Sequence, residues 1–253
     1  MDSRALRGAL LDALDLVTPT ACAGCGCADR VLCDDCAADL FTPPRRVDPD
    51  APLLAAGGPP TWAVATYRGP TRELVLAWKR GRRDLQPLVA HAVAEMVDRW
   101  LTQLPDAVVE LPGPIAVVPA PSGWVRRARG LLVAADVAEV VAHALCAGLG
   151  DGGAAGSPPA PAVLVADVLR RPGLGHLAGL SAAARASARS AARLRVRRPP
   201  TARTWVLVDD VVTTGATLHA AAGALEESTG APVTVAFALA ATPRRSGAGG
   251  LRM

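Results

Sequence analysis

Short, almost wholly apolar runs alternate along the chain with longer segments whose apolar positions recur every three or four residues. Residues 61–67 predict a strand, 71–80 a helix and 88–104 a longer amphipathic helix. Ile115 to Val118 form a buried strand running into the turn Pro119-Ala120-Pro121, and 130–147 is the next helical run. A β-branched apolar stretch at 162–169 follows, then a strand at 205–208, a helix at 216–228 and a last strand at 232–240. Strands that are apolar throughout, with no polar alternation, need cover on both faces. The pattern therefore predicts an α/β fold, a mostly parallel sheet with helices on both faces.

Three Pro/Gly-rich tracts, 42–60, 105–114 and 148–161, punctuate this pattern. The first separates a cysteine cluster from everything else. The expected organisation is an N-terminal helix and zinc-binding segment at 1–41, a linker at 42–60, the main domain at 61–243 and a tail at 244–253. Hydrophobic residues make up 51% and aromatics only 3%, so the core must be built from Ala, Val and Leu. A net charge of +4 is too weak by itself to announce a nucleic-acid binder. Every basic residue but one is arginine, which singles out Lys79. Leu6, Leu10, Leu14 and Val17 predict a short amphipathic helix, but Asp12 and Asp15 interrupt what would be the apolar region of a signal peptide. No run approaches the ~20 apolar residues a membrane span needs. A cytoplasmic protein without membrane insertion is expected.

Cys22-Ala-Gly-Cys25 and Cys33-Asp-Asp-Cys36 are two CxxC pairs. Each such turn presents two thiolates to one ion, and four thiolates fit a structural zinc with no open position. The expected ligands are Cys22, Cys25, Cys33 and Cys36, with Cys27 an alternative to Cys25. Reduced cysteines or a redox pair are the competing reading. It is disfavoured because about forty residues so poor in large apolar side chains need a staple to fold.

The most informative segment is Val206-Leu207-Val208-Asp209-Asp210-Val211-Val212-Thr213-Thr214-Gly215-Ala216-Thr217. It predicts an apolar strand ending in two carboxylates, then a Thr/Gly turn opening a helix at the carboxyl edge of the sheet, where open α/β sheets bind ligands. Successive backbone N–H groups and threonine hydroxyls in such a turn can cradle a phosphate. Gly215 lets the main chain approach without a Cβ in the way. Asp209 and Asp210 can accept hydrogen bonds from vicinal sugar hydroxyls or hold a hydrated Mg²⁺ on the same ligand. Ribose 5-phosphate needs both functions side by side.

These twelve residues resemble the phosphoribosyl pyrophosphate (PRPP) motif of type I phosphoribosyltransferases. Taken in order, the cysteine knuckle, Tyr67-Arg68-Gly69, Lys79-Arg80-Gly81, Val117-Val118-Pro119-Ala120-Pro121, Arg129-Gly130, Leu180-Ser181 with Arg185, and the PRPP motif resemble the ComF family. The likeness runs from Cys22 to about Thr242. It implies a type I phosphoribosyltransferase-like fold with an N-terminal zinc segment, and a link in some bacteria to natural competence, the uptake of single-stranded DNA.

By the same resemblance, Ser122, Gly123 and Arg129 would stand near the leaving pyrophosphate, where a cation stabilises developing charge. Lys79 ends a helix before Gly81, where a cation either complements the helix dipole or contacts the ligand. Residues 170–190 would correspond to a loop closing over PRPP, with Arg185 its candidate contact. Two departures stand out: Leu131, Leu132 and Val133 replace the family's aromatic, Asn and Gln, and Ala188 stands where Asn is expected. Both remove amides that would recognise an acceptor base. The expected function is a Mg²⁺-dependent phosphoribosyltransferase displacing pyrophosphate with an unknown acceptor, a nucleobase among the candidates. The rivals are a PRPP-sensing regulator and a non-catalytic DNA-uptake factor, which would use the nine arginines of 170–203 on single-stranded DNA or on uptake proteins. That span has no aromatic residue for base stacking.

Overall fold

The computed structural model describes residues 20–103, 111–121, 133–150, 160–171 and 194–243. Its strands are β1 (Arg45–Arg46), β2 (Thr61–Thr66), β3 (Ile115–Pro119), β4 (Val163–Val165), β5 (Leu169–Arg170), β6 (Arg195–Val196), β7 (Thr204–Val212) and β8 (Val235–Ala241). Its helices are α1 (Asp34–Ala37), α2 (Pro52–Ala55), α3 (Gly69–Lys79), α4 (Gln86–Gln103), α5 (Val133–Gly150) and α6 (Ala216–Thr229). The main sheet has the order β1-β2-β8-β7-β3-β4. All neighbours are parallel except β1, which lies antiparallel to β2. The chain is thus an α/β protein with a mostly parallel, six-stranded mixed sheet.

Alternation along the first half of β7 divides the core in two. Val206 and Val208 face a cluster with Leu74, Val75 and Trp78 of α3, and with residues of α4 and α5. Trp205 and Leu207 face Leu54 of α2 and Leu218, Ala221 and Leu225 of α6. The first face carries three of the buried rings, Trp78, Trp100 and Phe237, with the edge of Trp100 against Phe237 at 5.2 Å between centroids. The second is rich in alanine, from Ala63 and Ala116 to Ala236 and Ala238. Burying each Val or Leu contributes about 1.5–3 kcal/mol, so many small aliphatics replace the few aromatics the sequence offers. Helix α5 is long and apolar enough to span a bilayer by length and composition. In the fold its Val133, Val137, Val141 and Leu145 are buried within the first cluster.

Residues 42–60, expected as a linker, are part of the packed body. Arg45 and Arg46 pair with Ala63 and Trp62, and Asp48 accepts the Thr61 N–H at 3.0 Å while holding the Arg46 guanidinium. Val47, Ala51 and Leu54 are buried in the second cluster. The stretch 162–169 also divides: β4 joins the main sheet, whereas β5 pairs antiparallel with β6, so the chain that leaves through β5 returns beside it.

Candidate functional site

Strand β7 lies centrally, between β8 and β3. It does not stop at the two acids as the sequence predicted. Asp209 still pairs with Ala238 in the ladder, and the strand continues to Val212, which pairs with Ala241. Backbone pairing on a central strand holds the acids in place although neither side chain favours a strand. Asp209 is 9% exposed, and its Oδ1 accepts the Asp210 N–H at 2.8 Å. Burial, and then the charge of Asp210, push the Asp209 carboxyl up to about 7, against the opposing pull of its backbone hydrogen bond, Lys79 and Arg171.

Asp210 is held by Lys79, whose Nζ lies 2.8 Å from Oδ2, each side chain 19% exposed. Lys79 is the last residue of α3, so the single lysine of the chain reaches the strand end from the first face of the sheet. The pair is partly shielded from water, which makes it stronger than an open surface pair.

Arg171, which the sequence did not single out individually, follows β5 directly. Its Nε donates to the Pro121 carbonyl at 3.2 Å, in the turn after β3, and its charge acts on Asp209. In sequence it stands between Arg170 and Pro172, and nothing marks it among the nine arginines of the span.

The turn after β7 presents Thr213, Thr214 and Ala216 to solvent and Thr217 half-buried. Gly215 sits at the N-cap of α6 with φ +78, and its carbonyl accepts the His219 N–H at 2.9 Å. A Cβ there would come within 2.4 Å of Leu54 Cγ. Glycine is therefore needed for the left-handed backbone and for the close approach of α2, not only for a ligand. The Leu53 N–H also donates to the Thr214 carbonyl at 3.0 Å, so the expected linker fastens one side of the turn. The other side is tied by Thr242, whose N–H donates to the Val212 carbonyl at 2.9 Å. Ser122, Gly123, Arg129 and Arg185 lie outside the described residues.

The second candidate centre is the cysteine knuckle. The sulfurs of Cys22, Cys25, Cys27 and Cys33 all lie within 4.8 Å of one another. Cys33 Sγ is 3.7 Å from both Cys22 Sγ and Cys25 Sγ. A tetrahedron with metal–sulfur bonds of about 2.3 Å has edges of about 3.8 Å, so these spacings suit zinc. Burial pushes the Cys22 thiol up, but N–H···S bonds, including those of Gly24 and Cys33 at 3.4 Å, outweigh it and bring the thiol down to about 5. A thiolate is the form a metal takes.

This set shares three cysteines with the expected one. Cys27 joins these three, whereas the sequence offered it as a substitute for Cys25. The reason is the turn: the Cys22 N–H donates to the Cys27 carbonyl at 2.8 Å, folding Cys27 back over the first pair. Cys36, on α1, is 4% exposed and lies against Gly24. Burial, then the neighbouring Cys33, Cys25 and Cys22, push its thiol up, so Cys36 also stands beside the sulfur cluster.

The chain matches no known protein-family model and no curated protein.

Proposed function

We propose that the chain is a type I phosphoribosyltransferase-like protein that binds PRPP through the end of β7 and the turn that follows. The supporting observation is the adjacency of a buried acid, Asp209, a lysine-paired acid, Asp210, and a Thr-Thr-Gly turn opening α6, all on a central parallel strand. Thr213 to Thr217 hold the 5-phosphate, using the turn hydroxyls and the N-terminus of a fourteen-residue helix. Asp209 and Asp210 take the ribose hydroxyls. Mg²⁺, held by these carboxylates together with the ligand, supplies charge neutralisation for the departing pyrophosphate. Arg129 lies on the leaving-group side in this reading. The chain contributes mainly positioning and electrostatics to displacement by a nitrogen nucleophile. The cysteine set carries structural zinc, and the setting is cytoplasmic.

One feature supports a second reading, a binding-only role as a PRPP sensor: Leu132, Val133 and Ala188 stand where amides that would read an acceptor base are expected. Melting of zinc-loaded protein with Mg²⁺ and rising PRPP tests the shared pocket. At 100 times Kd a ligand adds ~2.7 kcal/mol. A rise in Tm that disappears in Asp210→Asn supports the reading, and no rise in the unaltered chain sinks it. Pyrophosphate release with candidate acceptors then separates enzyme from sensor.

A further inference from the structure

We infer that the cysteine knuckle positions Lys79 against Asp210, acting through Arg82 and helix α3. The knuckle touches α3 at both ends. At the start, Gly24 lies so close to Pro70 that a Cβ on Gly24 would be 2.9 Å from Pro70 Cβ and 2.7 Å from Cys36 Sγ. Just beyond the other end, Arg82 Nη1 donates to the carbonyl of Ala21, the residue before Cys22, at 3.0 Å. The rest of the guanidinium is locked by a fork onto Asp84, with Nε at 2.9 Å and Nη2 at 2.6 Å.

The Arg82 backbone N–H donates to Ala77 O at 3.1 Å, within the last turn of α3. That turn carries Lys79, whose Nζ lies 2.8 Å from Asp210. Two hydrogen bonds of Arg82 and the Lys79–Asp210 ion pair, joined by short covalent stretches of chain, therefore link the residue before Cys22 to the acid at the end of β7. Arg82 is a positioning residue, since it reaches Asp210 only through Lys79. The zinc ion orders the knuckle, the knuckle fixes both ends of α3, and α3 sets where the ammonium stands. The inference rests on the phosphoribosyl reading only for the identity of the ligand: if that ligand is PRPP, zinc and PRPP each raise the other's affinity by one shared factor.

Because Lys79 is the only lysine, its ε-amine reports the ion pair directly. Acetylation of Lys79 by acetic anhydride, followed by peptide mass spectrometry, is compared in zinc-loaded and chelated protein. Zinc is expected to slow the labelling about fivefold, the lower end of ordinary coupling between sites. In Asp210→Asn the zinc effect should vanish. In Arg82→Met, with one zinc retained by native mass spectrometry, labelling should rise towards the chelated rate. Equal rates with and without zinc overturn the inference, as does full protection in zinc-loaded Arg82→Met. The latter arm decides the matter if chelation unfolds the chain. No PRPP is needed, so failure of PRPP binding is a separate result that leaves the brace supported by the labelling.

Discussion

The knuckle and the end of β7 hold like charges close together by opposite means. In the knuckle, Cys25 and Cys27 are exposed, and among the described residues around them only Cys22, Cys36 and Leu40 are deeply buried. Among the described residues, Ala23, Val31 and Leu32 pack only partly buried against the first cluster, and a cation is what would offset the repulsion of thiolates within 4.8 Å of one another. At the end of β7 the frame comes first. Val206, Leu207 and Val208 are fully buried between neighbouring strands, and the ladder carries Asp209 and Asp210 to adjacent positions whatever their charges prefer. One region is organised by its ligand. The other is organised by packing alone.

The largest effect should therefore come from removing the metal. Apparent zinc binding energies in small knuckles reach ~10–16 kcal/mol, and this one has little else to fold with. Chelation, or Cys33→Ser, should abolish amide-exchange protection at Ala23 and Gly26 while Val117 and Val206 stay protected. Loss of protection in the sheet at the same time would show that the two regions are one cooperative unit, and the contrast would fail.

Packing at the other region is probed by Gly215→Ala. A left-handed backbone costs a residue with a Cβ about 1–2 kcal/mol, and overpacking against Leu54 about 1–3 more. Urea unfolding should show a loss of about 2–5 kcal/mol, the sum of those two costs. In a Leu54→Ala background the additional cost should shrink to the backbone part alone, since the atom 2.4 Å away is gone. An undiminished cost would mean that α2 does not press on the turn.

That contact also marks where the sequence stopped being legible. Strands β2, β3, β7 and β8 could be read because burial on both faces leaves continuous apolar runs, and α3, α4 and α6 because one apolar stripe faces the sheet. Strand β1 could not: Arg45 and Arg46 have no strand pattern, and only Ala63 and Trp62 of β2 make them one. The Pro/Gly content of 42–60 suggested a linker, yet Val47 and Leu54 fill a gap that only the assembled α6 and β7 create. The acids at 209 and 210 marked a strand end by polarity, whereas the register with Ala238 and Ala241 carries the strand past them. At the site, adjacent acids and the Thr-Thr-Gly turn were visible as a pattern. The Lys79–Asp210 pair was not, since nothing local links residues so far apart in sequence. Among the cysteines, spacing favoured Cys36, and a backbone turn brought Cys27 to the same sulfurs as well.

A smaller effect follows from the proton on Asp209. Its folded pKa, about 7, lies above the ordinary value of 3.8, so the native state holds the proton more tightly than the unfolded chain. The stabilisation is complete below pH 3.8 and is lost as pH rises through about 7. Melting of ligand-free protein from pH 4 to 7 should therefore fall more steeply than that of Asp209→Asn. The difference should reach about 6–12 °C for ~3 kcal/mol, at about 2–4 °C per kcal/mol. Subtracting the variant's curve removes other groups with raised values, Asp136 among them. Parallel curves would mean that the carboxyl is ionised throughout and that packing does not hold it.

The finest test concerns the cations facing that carboxyl. Lys79 and Arg171 both favour its ionised form, and Asp210 opposes it. Arg171 is exposed, so solvent screens its charge and its effect should be the smallest of all. Arg171→Met should move the Asp209 titration to higher pH, measured by carboxyl-carbon NMR, and added salt should reduce the gap between variant and wild type. The Lys79→Met shift should be larger and less sensitive to salt, because that ammonium is partly buried against Asp210. If both variants respond alike to salt, the site is more open than its burial implies. The distinction between a pocket set by packing and a knuckle set by its ion would then narrow to the ladder of β7 alone.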